Sequence, residues 1–220
     1  MKRWLRFTAA VLAAAFLFVL TGCGNSTNSA SFTWFVDSIP ANLDPQVASG
    51  ASDIIACENL YGTLVRKDPD GELVPELCVK WSVSSDGLTY TFTLKDGLTY
   101  AAVKGAATEY DITAEDFVFA FRRIFRADTA SPYAVEFSAI QNSAAVLAGL
   151  ADESSLGVSA NGALSLVFRL SERDDNFLAK LAMPGATPCY EAFFESTRGT
   201  YALTSKTTLA SGSFYLYNWT

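Results

Sequence analysis

The sequence predicts an α/β fold of mixed type, helices beside antiparallel strands, on three observations. Leu88, Tyr90, Phe92 and Leu94 alternate with Thr89, Thr91 and Thr93, the period of two that gives a strand one apolar and one polar face. Phe117, Ala120, Phe121 and Ile124 then recur at i, i+3, i+4 and i+7, which places them on one side of a helix. Asp86-Gly87 and Asn161-Gly162 stand between short apolar runs, as hairpin turns require.

Composition bounds what such a fold does. A chain of 220 residues, 50% hydrophobic and 13% aromatic, fills one or two real cores. It contains no His, which removes the usual general base, the Ser–His and Cys–His pairs and the commonest zinc ligand. The net charge is −7; without the first 22 residues, which hold Lys2, Arg3 and Arg6 and no acid, 13 basic residues face 23 acidic ones, a net of −10. Such a surface argues against nucleic acid as a partner, since phosphate contact needs clustered Lys and Arg. Arg122, Arg123 and Arg126 form a local basic run, read as solvated charge at a helix C-terminus, where cations favour the macrodipole.

The elements follow in order. "MKRWLR" is a basic leader and residues 7–20 an apolar run too short for a membrane span, so 1–22 reads as a cleaved signal peptide. "LTGC" at 20–23 resembles the lipobox of bacterial lipoproteins, which implies that the Cys23 thiol is acylated and holds the chain to the membrane. Residues 23–30, small and uncharged, read as a flexible tether. "SFTWFV" at 31–36 reads as a first strand, 52–65 as a helix stopped near Gly62, Pro69-Asp70-Gly71 as a turn, and 80–97 as a hairpin about Asp86-Gly87. Thr113 and Asp116 form a capping box at the head of the helix carrying Phe117 to Ile124. A second helix is expected over 134–149, and a hairpin about Asn161-Gly162 turns Leu164, Leu166, Phe168 and Leu170 inward. Ser171 and Asp174 are placed to cap a helix in 175–182, 191–197 offers a short helix, and Phe214 to Trp219 alternate as a closing strand.

No element carries chemistry alone. Glu115-Asp116 and Asp174-Asp175 sit at helix starts, where acids are stabilised by the dipole. "DPDG" at 68–71 lacks the spacing and terminal Glu of a calcium loop. Cys57, Cys78 and Cys189 show no CxxC spacing and cannot all pair among themselves; one disulfide among them is the alternative for a chain outside the cytoplasm, and buried free thiols are the expectation, with no metal and no cofactor.

Several blocks occur in a familiar order: 58–100, "ITAEDFVFAFRRI" at 112–124, "TASPYA" at 129–134, "LGVSA" at 156–160 and "SGSFYLYNW" at 211–219. Together they strongly resemble the family 5 solute-binding proteins of bacterial ABC importers, typified by oligopeptide- and dipeptide-binding proteins, over about 32–219, with Leu43-Asp44-Pro45 matching the family's "LDP". The resemblance implies a periplasmic-binding-protein-like type II architecture. By it, 31–44 and 171–220 belong to ligand lobe I, 45–170 forms an additional α/β domain, and the second ligand lobe lies beyond this sequence, in a longer protein.

The resemblance also implies function. The family holds an extended peptide between two lobes and presents it to a membrane permease. Carried onto this sequence, Ser49, Gly50 and Ala51 match the loop whose backbone runs along the peptide, and Tyr133 matches a ligand-facing tyrosine. A simple turn at Gly50 and core packing of Tyr133 are the competing readings. The expected protein is therefore an extracytoplasmic, membrane-anchored, non-enzymatic binder of oligopeptides whose partners are peptide, permease and membrane. The alternative is a truncated lipoprotein that serves as an interaction or sensor module; an enzyme would rest only on clustered carboxylates.

Overall fold

The structure is a computed structural model and describes residues 37–101 and 110–219. The signal, Cys23, the tether, the expected strand 31–36 and most of the loop after Tyr100 lie outside the described residues. The described part falls within one compact unit, 36–220.

The sheet forms where the alternation is strongest. Strands β1 (Val65–Lys67) and β2 (Leu73–Pro75) make an antiparallel ribbon. Strands β3 (Cys78–Val83) and β4 (Thr89–Leu94) form the hairpin about Asp86-Gly87, where Asp86 accepts the Leu88 N–H and Gly87 takes a φ of +73°. With β5 (Val158–Ala160) and β6 (Ser165–Arg169) they build a four-stranded antiparallel sheet in the order β3-β4-β6-β5. Tyr90 stands opposite Phe168 and Phe92 opposite Leu166, so the inward faces of the two hairpins coincide.

That face is covered by helix α2 (Ala114–Phe125), whose head is closed by Asp116: its Oδ2 accepts the Thr113 N–H at 2.8 Å, the acid side of the expected capping box. Phe121 meets Phe137 and Phe168 edge-on, each at 4.9 Å between centroids, and Phe177 packs on Phe168 at 5.4 Å. Each such buried ring contributes about 1.5–3 kcal/mol over leaving it in water. This aromatic seam is the main core. Helix α1 (Ala51–Leu60) ends at Leu60, two residues short of Gly62. Around it lies a second, smaller core of Leu43, Cys57, Tyr61, Phe119, Cys189 and Tyr201.

Three expectations are corrected. The helix expected over 134–149 is instead a 3-10 turn at Pro132–Ala134 and a five-residue helix α3 (Ser143–Leu147). Between them the Gln141 N–H donates to the Arg169 carbonyl and the Gly157 N–H to the Gln141 carbonyl, so the backbone serves the sheet edge, and Asn142 takes a left-handed φ of 64°. The 175–182 helix shrinks to one turn, α4 (Phe177–Lys180); Asp174 accepts the Asn176 N–H, while the Ser171 hydroxyl donates to the Ala139 carbonyl rather than capping. Helix α5 (Glu191–Ser196) forms as expected. Residues 213–219 join no ladder among the described residues, leaving Phe214 and Tyr215 more than half exposed, because alternation without a partner strand makes no sheet.

Candidate functional site

The segment Leu43–Ala51 crosses the smaller core and emerges at the head of α1. Asp44 is buried there, and its charge is met by Arg123 from the last turn of α2. Arg123 donates through Nη2 to Asp44 Oδ2 at 2.5 Å, and through Nη1 to Asp44 Oδ1 at 3.2 Å and Gln46 Oε1 at 2.7 Å. Its guanidinium lies 4.0 Å from the Phe194 ring centroid, on α5, and 5.3 Å from that of Tyr201. A fork of donors on a carboxylate, stacked on an aromatic ring, is the arrangement in which Arg holds geometry best. The solvated helix-end charge expected at Arg123 is thus overturned: the side chain is buried, because it stands three and four residues from Ala120 and Phe119 and shares their inward face.

The rest of the segment is held by the same kind of contact. Gln46 donates its amide to the Gly185 and Thr187 carbonyls at 3.3 and 3.1 Å. The Ser131 hydroxyl donates to the Gln46 carbonyl at 2.6 Å and the Tyr133 hydroxyl to the Ala48 carbonyl at 3.1 Å. The Val47 and Ala48 N–H groups both return to the Asp44 carbonyl. The loop is thus fixed both by its own turn at Asp44 and by side chains from elsewhere in the chain, while Ser49, Gly50 and Ala51 stand exposed beyond it. Gly50 is the N-cap of α1 in an extended conformation, φ −73° and ψ 145°, so the strand-like backbone runs directly into the first helical turn.

Tyr133 is buried and works beneath this shelf. A Cβ on Gly185 would meet its ring at 2.4 Å, so only glycine lets the 184–186 turn lie across it. The tyrosine also walls a cavity of about 560 Å³ with Ile54, Tyr61 and Met183, where the exposed Glu58 and Arg66 add opposite charges. Tyr133 is therefore joined to Ser49–Ala51 through the Ala48 carbonyl.

Burial sets the protonation of the groups in this region. Burial opposes the Arg123 charge, but the Cys189 sulfur and Asp44 carboxylate outweigh it, so its pKa lies above the ordinary value. Burial pushes the Cys189 thiol up to about 12 and the Tyr133 hydroxyl to about 12, and raises Cys57 further. Cys57, Cys78 and Cys189 are free and buried, as the composition suggested. At neutral pH they are thiols, not nucleophiles.

The comparisons agree on the family. Residues 72–220 match the bacterial extracellular solute-binding proteins, family 5 middle region. The oligopeptide-binding protein SarA of Streptococcus gordonii is 31% identical over 213 residues, 90% of this chain and 32% of that protein. The periplasmic murein peptide-binding protein MppA of Escherichia coli K12 is 34% identical over 135 residues, 60% and 24% of the two chains. The substrate-binding domain of an oligopeptide ABC transporter from Bacillus anthracis superposes with a TM-score of 0.79 at 29% identity, covering 86% of this chain and 35% of that one. The chain thus spans about a third or less of these relatives' length. With its mixed fold shared by oligopeptide-binding structures and its sequence matched over 72–220, the chain belongs to the family 5 extracellular solute-binding proteins of bacteria.

Proposed function

We propose that this chain is part of the substrate-binding component of an ABC importer and that it contributes one wall of an oligopeptide site. The exposed backbone of Ser49, Gly50 and Ala51, braced by buried ionic and hydrogen-bonded contacts, carries the reading. This backbone, extended at Gly50 and turning into α1 at Ala51, offers its peptide groups to a ligand main chain, and holding it rigid lowers the ordering cost of binding. Tyr133 acts from beneath, through the Ala48 carbonyl and the adjoining cavity. The names of the relatives support peptide as the ligand, and the leader with Cys23 supports an extracytoplasmic protein tethered by acyl chains beside its permease.

A single wall gives half the contacts of a cleft, so the 220 residues alone are expected to bind weakly. In NMR titration with a pool of di- to pentapeptides, amide shifts are expected at Ser49–Ala51 only at millimolar peptide, with β4 and β6 unmoved. Shifts confined to other surfaces, or micromolar binding by this chain, would contradict the placement. Cys23→Ser is expected to abolish labelled palmitate incorporation and release the protein from membranes; continued incorporation would remove the anchor from the reading.

A further inference from the structure

Two straps of backbone reach the 43–48 loop from other parts of the chain. The first, 129–134, leaves the end of α2 through a turn in which the Thr129 N–H donates to the Arg126 carbonyl. It carries both Ser131 and Tyr133, the donors to the Gln46 and Ala48 carbonyls. Pro132 confines Ser131 to an extended conformation, here φ −64° and ψ 129°, and the Ser131 hydroxyl accepts the Tyr133 N–H at 3.2 Å, so the two donors are joined. The second strap, 200–207, presents the Ala202 carbonyl, which accepts the Leu43 N–H at 3.2 Å, while the Ala202 N–H donates to the Thr207 carbonyl at 2.7 Å.

Each strap turns on an alanine in the left-handed region, Ala130 at φ 48° and Ala202 at φ 55°. Among the described residues the other non-glycine positions with positive φ are Asn142, a residue type that tolerates it, and Arg198, in an exposed turn after α5. In that region Cβ crowds the following carbonyl oxygen, a cost that glycine is spared and that a methyl side chain offsets with no hydrogen bond of its own. Such strain persists only where the surroundings over-determine it. Here the surroundings are the contacts that hold the loop.

From this coincidence we propose that Ala130 and Ala202 are positioning residues of a two-state loop. With both left-handed, Ser131, Tyr133 and Ala202 hold the loop from Leu43 to Ala48, and with it the exposed backbone of Ser49, Gly50 and Ala51. When either alanine relaxes, its strap turns away and the loop is released. The regulation this gives rests on the reading of Ser49–Ala51 as one wall of a peptide site: peptide binds the held form and draws the population toward it. An alanine at these turns brings the held form closer in free energy to the released one than a glycine would, which is the condition under which a ligand shifts a population.

The test is amide hydrogen exchange of the chain beside its Ala130→Gly and Ala130→Val variants. Ala130 is exposed, so glycine there opens no cavity. Glycine relieves the left-handed turn, and exchange at Val47 and Ala48 is expected to slow about threefold or more while β4 and β6 are unchanged. Valine, β-branched and a poor fit to that region, is expected to speed exchange at the same amides about tenfold. Should the valine variant fail to fold, the glycine result decides alone. In a separate arm, the di- to pentapeptide pool at millimolar concentration is expected to slow the same two amides in the unaltered chain. Slowing by glycine without slowing by peptide would support the two-state loop and overturn peptide as its ligand. Exchange at Val47 and Ala48 that is unchanged or faster in Ala130→Gly would overturn the positioning role.

Discussion

Helix α2 divides two interiors that are held by different forces. Phe117, Phe121 and Ile124 meet the sheet and the rings of Phe92, Phe137 and Phe168, with apolar matter on every side. Phe119, Ala120 and Arg123 meet Leu43, Cys57 and Tyr201, and there a buried ion pair sits within the apolar packing. The sheet side tolerates exchange of one ring for another of similar volume, because its attraction is without direction. The Arg123 side fixes one loop in one place, because a two-pronged pair satisfies itself in a single geometry. Stability is the business of the first interior and position that of the second.

The largest effects separate the two by what compensates for damage. Arg123→Ala leaves the Asp44 carboxylate buried without its cation and is expected to cost about 3–5 kcal/mol. Phe168→Ala, which leaves a cavity under α2, is expected to cost a similar ~3–5 kcal/mol. The contrast appears on adding Asp44→Leu to Arg123→Met: removing both charges is expected to restore most of the loss, whereas no single partner change rescues the cavity. Urea denaturation of the four variants measures this, and an Arg123→Met deficit undiminished by Asp44→Leu would break the comparison.

A smaller effect depends on pH. Burial raises the Asp116 carboxyl to about 6 despite the opposing hydrogen bond from Thr113. Its folded pKa therefore exceeds its unfolded one, and the contribution is fully present below about 4. It is lost as the pH rises through about 6, because the folded state binds the extra proton in that window. The expected loss is about 2–3 kcal/mol between pH 4 and pH 7, absent in Asp116→Asn. Denaturation curves at both pH values are the check, and equal slopes in the two proteins would refute it. Smaller again is Tyr133→Phe, which forfeits one hydrogen bond to the Ala48 carbonyl at a cost of about 1–2 kcal/mol. Its readout is melting temperature together with the shift of the Ser49 amide.

The sheet interior was the legible one. Period two in 88–94 and 164–170, the Gly turns and the Thr113/Asp116 head are local signals, and each produced its element. The ionic interior was not, because its meaning lies in pairing across the chain: Asp44 and Arg123 are 79 residues apart, and Arg123 looks locally like any helix-end cation. Its place on the stripe of Phe119 and Ala120 was the available signal. The broken 134–149 segment fails similarly, since Ile140 and Gln141 are drawn to the sheet by Leu170 and Arg169. Ser49, Gly50, Ala51 and Tyr133 came from resemblance; their residue types alone distinguish no site from a turn and a core ring.

The central claim is that the Asp44–Arg123 pair positions the loop that leads to Ser49–Ala51. Amide hydrogen exchange in the Asp44→Leu/Arg123→Met double variant tests it most directly, because that change removes the geometry while sparing most of the stability. The account predicts that Gln46, Val47 and Ala48, whose N–H groups return to Asp44, lose protection at least tenfold while β4 and β6 keep theirs. Unchanged protection at all three amides in a variant of near-normal stability would contradict it, and would leave the buried pair without a role in the shelf.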